Sequence, residues 1–528
     1  HIQKMKRDRL IPKTMASQHP DNASIPKWCK NEVIAGEDEV YEAYHAYVFL
    51  GCREAMWDAE GKDIDPQVVR KLLTNYPEYF IENKLGEDIF LTLRIPNPLI
   101  EVAEKKIFLE TLQSIPKHND VAMTFYNEHP CKSIFEVILP FTVSHVDLIR
   151  VRETYRKVIV EPFNEQIDYQ GLKLKELVGE VYPKEIEVIP LIEDMNSLIS
   201  CDEIIMRYIE LVSPSYLRVF LARSDPALNY GYVAATLLAK LALSKLWNIR
   251  NQTGIDIYPI IGAGCLPFRG HNSPINIEGF VEEYKGTWTV TIQSAYRYDY
   301  PENEVVEAVK KLNNMLPYGE PRDLTEVEET IVNVIQKFSR KYQETLESAI
   351  DAVNYVASFI PPRRSRKLHI GLYGYSRRLI GKSLPRAIPF TGAFYSLGIP
   401  PEFIGMRVLK GLGEEEYDVL REVHVRLRDD LEEAARRVVW EAFSLLVENR
   451  GNLLKHFSKE FYEEFIPSYM EDLETTSELF GIKIGGRSFS DRRYANIIEN
   501  FLISILEEEY DRAKHELVEA ARLRRSIG

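Results

Sequence analysis

Over the first 300 positions, apolar residues fall in short runs, each followed by a polar cluster and then by a stretch with helical spacing. Four such runs are Val188 to Ile192, Leu217 to Leu221, Ile257 to Ile261 and Trp288 to Ile292. They are rich in β-branched or aromatic types and bounded by Gly, Pro or charge, which predicts strands over helix fragments. Near-continuous apolarity, without polar alternation, fits parallel strands covered on both faces. Four earlier units repeat the order: Leu10 to Met15, the stretch around Ala55-Met56-Trp57, Asp88 to Leu93 and Ile134 to Leu139. Helical segments lie between them, at Asp38 to Leu50, Leu99 to Ile115 and Leu148 to Val158. Eight strand–helix units are the number that closes a barrel. The predicted fold is α/β: a (β/α)8 TIM barrel over residues 8–300 with extensive additional helices, mainly C-terminal.

After Pro301 the pattern changes. From Val305 to Phe359 and from Glu414 to Ala521 it is long, charged and helical, with apolar residues three and four apart. Between these blocks lies a Gly/Pro/Arg-rich section, 360–405, too long for a simple connector. The expected organisation joins a helical region, 301–528, to the barrel in one integrated unit. That region would lend the 360–405 segment and the C-terminal tail to the site.

Composition narrows the function. The chain has 528 residues, 45% hydrophobic and 28% charged, with a formal net charge of −14. That balance argues against nucleic-acid or anionic-membrane partners, because phosphates attract basic surfaces. No apolar run approaches the roughly 20 residues that span a bilayer. The basic start, His1 to Arg9, has no apolar core after it and so does not read as a signal peptide. Cys29, Cys52, Cys131, Cys201 and Cys265 show no paired spacing, which fits a reduced, cytoplasmic protein.

In a barrel of this kind the loops after the strands open on one face, where active sites are built. Two carboxylates, Glu193 and Asp225, close neighbouring strands and suit a hard cation such as Mg²⁺. The alternative is that each caps the helix that follows. Arg94, Arg223, Arg269 and Arg297 each lie within a few residues of a strand end, and guanidinium groups bind phosphate and carboxylate bidentately. Arg363 and Arg364 belong to a basic run, Ile360 to Lys367, that reads either as a solvated loop or as part of an anion site. His19, in a rigid polar loop, and His271 are candidates for proton transfer, weighed against structural roles.

These residues lie in motifs that resemble the archaeal-type phosphoenolpyruvate carboxylases, the short form of that enzyme. The motifs are SQHPDN (17–22), EAMWDAEGKD (54–63), LRIPNP (93–98), PLIED (190–194), ARSD (222–225), LPFRGH (266–271), QSAYRYD (293–299), PRAIPFTGAFYSLGIPPE (385–402) and RSIG (525–528). The resemblance covers the whole chain in the family's order. It implies a homotetramer that joins phosphoenolpyruvate and bicarbonate, with Mg²⁺ or Mn²⁺, to give oxaloacetate and phosphate through carboxyphosphate and the enolate of pyruvate. By motif it implies Glu193 and Asp225 as metal ligands, His19 as the essential histidine, and Arg94, Arg297 and Arg386 as anion-binding residues.

Three departures from the longer relatives stand out. Their histidine–glycine–arginine order is reversed here to Arg269-Gly270-His271, so either the side chains exchange roles or the loop shifts register. Leu228 stands where they carry a lysine three residues after the metal aspartate, a role left to Lys62 or Arg223. Their glycine-rich loop has no counterpart, and its place falls to Arg363 through Arg377. The other readings are a metal-dependent carbon–carbon lyase of aldolase type and an inactive scaffold paralogue.

Overall fold

A computed structural model describes residues 10–365, 378–379 and 382–528. Eight parallel strands close a barrel in sequence order: β1 Thr14–Ala16, β2 Glu54–Asp58, β3 Phe90–Arg94, β4 Glu136–Leu139, β5 Glu187–Ile192, β6 Tyr216–Ala222, β7 Asp256–Gly262 and β8 Thr289–Ile292. β8 pairs back onto β1, so no edge is left open. The eight-stranded barrel and its surrounding helices are as the periodicity predicts. Among the strands the largest difference is at β1, which begins after Pro12, where the proline ring removes a ladder donor. Another is the helix expected over Leu99 to Ile115, which runs instead over Lys105–Tyr126 with Pro116 inside it.

The barrel interior is a packed plug. Met15, Met56, Ile138, Ile189, Leu191 and Phe220 form its apolar layer. Gly262 makes room for the Phe220 ring, since a Cβ there would lie 2.7 Å from it. Nearer the strand starts, Arg218 donates to both oxygens of Glu54 at 2.7 and 2.8 Å, an ion pair with no solvent exposure.

Outside the barrel the core is continuous from Ala16 to Ala520, so barrel and helical region share it. Helix Tyr232–Thr253 shows why. It is apolar nearly all round because it packs on β6 and β7 with one side and on helix Glu328–Glu347 with another. Beyond residue 301 the only strands among the described residues are Arg378–Leu379 and Lys382–Ser383, paired antiparallel. Residues 366–377 of the segment proposed to replace the glycine-rich loop lie outside the described residues.

Two helices at the end of the chain, Phe489–Leu506 and Tyr510–Arg524, pack on each other. Arg525 then takes a left-handed conformation (φ 60°) and turns the last residues back toward the strand ends. Ser526, Ile527 and Gly528 are all buried.

Candidate active site

Side chains at the C-terminal ends of β1, β2, β3, β5 and β6, and of the β7 loop, converge on one mouth. Glu193 follows β5. The helix after it is capped by Asp194, whose side chain accepts from Ser197 N at 3.0 Å, so Glu193 is not the cap. Glu193 instead accepts from Phe141 N at 2.7 Å and shares a hydrogen bond with Asp225. Asp225 lies in the first turn of helix Ser224–Tyr230, which has no side-chain cap. Burial, then the charges of Asp225 and Glu60, push the Glu193 carboxyl well above its ordinary range. Like charges held this close cannot both ionise without a cation.

The donor set therefore fits a divalent ion. Among the described residues no three His, Cys, Asp or Glu side chains form a ready-made cage. A hard ion that takes one or two carboxylates, with substrate oxygens and waters filling the rest, needs no such cage.

Facing this pair is a positively charged group. Arg94 donates to Asp58 through Nε at 2.8 Å and through Nη2, and lies 3.3 Å from Glu60. Lys62 pairs with the same carboxylate, Asp58. Burial would raise Asp58, but Arg94 and Lys62 outweigh it and hold the carboxyl far below its usual value. His19 stands beside them. Its Nδ1 meets Ser17 Oγ at 2.7 Å, which leaves Nε2 with no partner among the described residues. Burial, then Lys62, Arg94 and Arg269, hold its pKa well below 6.5, so the ring is neutral at physiological pH.

The β7 loop resolves the reversed motif. Arg269 turns inward, donating to Asp21 and to the Gly528 backbone oxygen, both at 2.9 Å, and to Gln293 at 2.6 Å. His271 turns outward at φ 61°, and its Nδ1 lies 2.6 Å from Asp430 in helix Leu427–Ala435. His271 is therefore not placed with the mouth, contrary to its expected catalytic role. Of the two side chains, the arginine meets Asp21, Gln293 and the tail, and the histidine meets Asp430. Gly270, at φ 119°, permits the divergence, and a Cβ there would collide with Ala263 at 2.5 Å.

Four expected anion-binding arginines are spent elsewhere. Arg223 donates to Tyr284 OH, Thr236 Oγ1 and the backbone oxygens of Pro267 and Phe268, and so braces the β7 loop from behind. Arg363 donates to the backbone oxygens of Asn22 and Ala23 at 3.0 and 2.9 Å, bracing the loop that carries His19. Arg297 and Arg364 converge on Glu42 of helix Glu37–Val48, where Arg364 binds both oxygens and Arg297 also donates to Ile292 O. Burial opposes ionisation of Glu42, but Arg364 and Arg297 prevail and lower its pKa. Arg386 leads, half-buried, into helix Ala387–Ser396. Leu228 is a core residue whose carbonyl accepts from Tyr342 OH, so of the two substitutes for the missing lysine only Lys62 stands at the mouth.

Asp21 holds the β1 loop, β8 and the tail together. One carboxylate oxygen accepts from Ala295 N at 2.7 Å, the other from Arg269, and its backbone oxygen accepts from Ile527 N at 2.7 Å. Gly392 opens the groove for the tail, since a Cβ there would lie 2.6 Å from Ile527 O. Ile527 itself packs with Ala23, Ile388 and Ala521.

A profile described as phosphoenolpyruvate carboxylase matches residues 11–528. The chain belongs to the phosphoenolpyruvate carboxylase family. Three relatives of that name share its length. The protein of Caldivirga maquilingensis is 46% identical over 521 residues, 98% of this chain and 100% of its own. That of Metallosphaera sedula is 47% identical over 522 residues, again 98% and 100%. That of Picrophilus torridus is 40% identical over 532 residues, 98% and 99%. The family's motifs thus fall on a mouth that gathers Asp21, Asp58, Lys62, Arg94, Glu193 and Arg269.

Asp58, Glu60 and Asp21 carry no role in the sequence reading. Asp58 was findable, because it closes β2 as Arg94 closes β3. Glu42 and Asp430 were not, because an acid inside a charged helix looks like any solvated one. Among the described residues no helix is long and apolar enough to cross a membrane.

Proposed function

We propose that this chain carboxylates phosphoenolpyruvate with bicarbonate, releasing oxaloacetate and phosphate. One observation carries the reading: a neutral histidine, His19, stands among Lys62, Arg94 and Arg269, near a carboxylate pair short of positive charge. Glu193 and Asp225 would hold Mg²⁺ or Mn²⁺, which when bound supplies Lewis-acid charge for enolate and phosphoryl oxygens.

The chain's own residues do the rest. Arg94, Lys62 and Arg269 supply fixed positive charge for a phosphate that passes from the enol oxygen to bicarbonate. Their own acids, Asp58 and Asp21, hold them in place before substrate arrives. His19 then takes the proton of carboxyphosphate through Nε2 as CO2 leaves, and the enolate carbon captures the CO2. A base with a depressed pKa is free to accept that proton at neutral pH, which is what its cationic neighbours ensure. In the cell the reading is of a cytoplasmic homotetramer with an anaplerotic role, the subunit count to be read by light scattering.

The test is oxaloacetate and phosphate release, each measured with and without bicarbonate and Mg²⁺. Both products should require both additions, whereas an aldolase-type lyase would ignore bicarbonate and a scaffold would release nothing. His19→Ala should still release phosphate but form little oxaloacetate. Equal loss of the two would remove His19 from the late proton transfer.

A further inference from the structure

Outside the barrel mouth, between the β2 loop, helix Lys105–Tyr126 and the segment 158–181, lies a half-open cavity of about 840 Å³. Its volume is in the range of small-molecule sites. The walls are largely apolar, with Trp57, Ile64, Leu93, Ile107, Phe163 and Val178 among them.

Two features point to an occupant. His118 lines the cavity at 4% exposure, and its ring has no hydrogen-bond partner among the described residues. Burial, then Lys117, push its pKa to about 3, so the ring is neutral and offers one N–H and one lone pair. A ring nitrogen that opens on the cavity from an otherwise buried side chain is a hydrogen bond that a ligand can complete.

The second feature is the charge of the rim. Asp63, Glu110 and Asp120 line it, exposed, with no ion-pair partner among the described residues. Most other charges are paired: Asp65 with Lys71, Glu180 with Lys175 and Lys184, and Lys62 with Asp58. Lys117 donates to the neutral Pro66 O and keeps its charge, which opposes the three acids. An apolar body with a polar edge at the bottom, and three carboxylates against the one charge of Lys117 at the entrance, select a cation over an anion.

We propose that this cavity binds a small, flat aromatic amine, its ring against the apolar wall and bonded to His118, its ammonium among the rim carboxylates. Lys62 gives such a ligand a path to the mouth, because it lines the cavity and pairs with Asp58, which also holds Arg94. The pair is already buried, so an occupant acts by packing on the Lys62 stem and shifting its ammonium on Asp58, and with it Arg94.

Tryptamine and its anionic counterpart indole-3-acetate are the probes, titrated by calorimetry into the full-length protein. Tryptamine should saturate one site per chain and bind at least about tenfold tighter than indole-3-acetate. His118→Leu should weaken tryptamine by a similar factor while leaving melting temperature and ligand-free turnover unchanged. If His118→Leu unfolds, the surface variant Asp63→Asn/Glu110→Gln/Asp120→Asn takes its place and should abolish the preference for the amine. Equal binding of the two probes, or full tryptamine binding by these variants, would overturn the site. Saturating tryptamine should also shift the KM for phosphoenolpyruvate at least about twofold in the parent enzyme, and an unmoved KM would overturn the coupling through Lys62. Because binding is read as heat, its failure is distinct from any failure of the proposed reaction.

Discussion

Arg94 and Arg269 differ from Arg223, Arg297, Arg363 and Arg364 in what they touch, although most of the six follow a strand end in the same way. The first two pair with acids that are themselves at the mouth, Asp58, Glu60 and Asp21, and both act on His19. The other four lie behind the mouth, where their partners are backbone carbonyls, hydroxyls and the buried Glu42. A guanidinium carries five donors in one plane, so it can brace several carbonyls as readily as it can hold a phosphate. Strand-end position puts an arginine near the site but does not decide which of these it does. The difference lies in the acceptors.

The comparison breaks first at Arg364. Its side chain is fully buried and binds both oxygens of Glu42. Arg364→Ala should destabilise the protein by roughly 3 kcal/mol, because it removes the two-point partner of a buried carboxylate and leaves it only Arg297 and Tyr298. Replacing Glu42 by Gln in the same chain should recover part of that loss. Denaturant unfolding measures the change, and the KM for phosphoenolpyruvate of the folded fraction should stay close to that of the parent. A variant of unchanged stability with a raised KM would move Arg364 into the mouth set.

Arg94 should show the converse. Arg94→Ala leaves Asp58 its bond to Lys62, so the fold survives. Turnover should fall by about 10²- to 10³-fold, the usual loss when one donor to developing charge is removed. Arg94→Lys should restore only part of it, since lysine lacks the fork. A melting temperature that collapsed while the surviving kcat stayed normal would show that Arg94 is a brace like the others.

How far the sequence foretold this follows from the range of the forces involved. Strand runs and the helices between them depend on local periodicity, so all eight strands were legible and only their ends moved, as Pro12 did to β1. The carboxylate pair was legible because Glu193 stands immediately after one apolar run and Asp225 a few residues after the next. The struts were not. Nothing near Arg297 announces Glu42, which is 255 residues away in sequence, and nothing near His271 announces Asp430, 159 residues on. Those pairings are properties of the folded chain.

The tail belongs with the inner set, because it holds Arg269 through Gly528 and Asp21 through Ile527. Deleting Ser526 to Gly528 removes a fully buried isoleucine, worth about 1.5–3 kcal/mol, and several hydrogen bonds. The expected cost is roughly 3 kcal/mol of stability together with a loss of turnover, since Arg269 then loses one of its three partners and is held less firmly. Activity and thermal unfolding, run side by side, check both halves. A truncated enzyme that kept full activity would separate Arg269 from the mouth set.

The smallest effect should come from Asp430, which reaches the inner set only through the chain between His271 and Arg269. Burial alone would lower the His271 pKa, but Asp430 outweighs it and raises the ring above its ordinary 6.5. Asp430, for its part, is held below its ordinary 3.8, with burial opposing and His271 prevailing. The sign follows from each group. A raised histidine contributes its stability fully below pH 6.5 and loses it as pH climbs through the raised value. A lowered aspartate contributes above pH 3.8 and loses its share as pH falls through the lowered value. The pair therefore supports the loop fully between those two limits and fades on the alkaline side. Asp430→Asn should cost roughly 1.5 kcal/mol in that window, as for a hydrogen bond to a charged group, and progressively less above it. It should also remove a bond from Tyr232 OH, now 2.7 Å from Asp430, without touching any residue of the mouth. A modest rise in KM with kcat nearly kept would mark Asp430 as a positioning residue. A difference in stability that stayed constant from pH 5 to 9 would mean that the contact acts as a neutral hydrogen bond, with the charge on His271 contributing nothing.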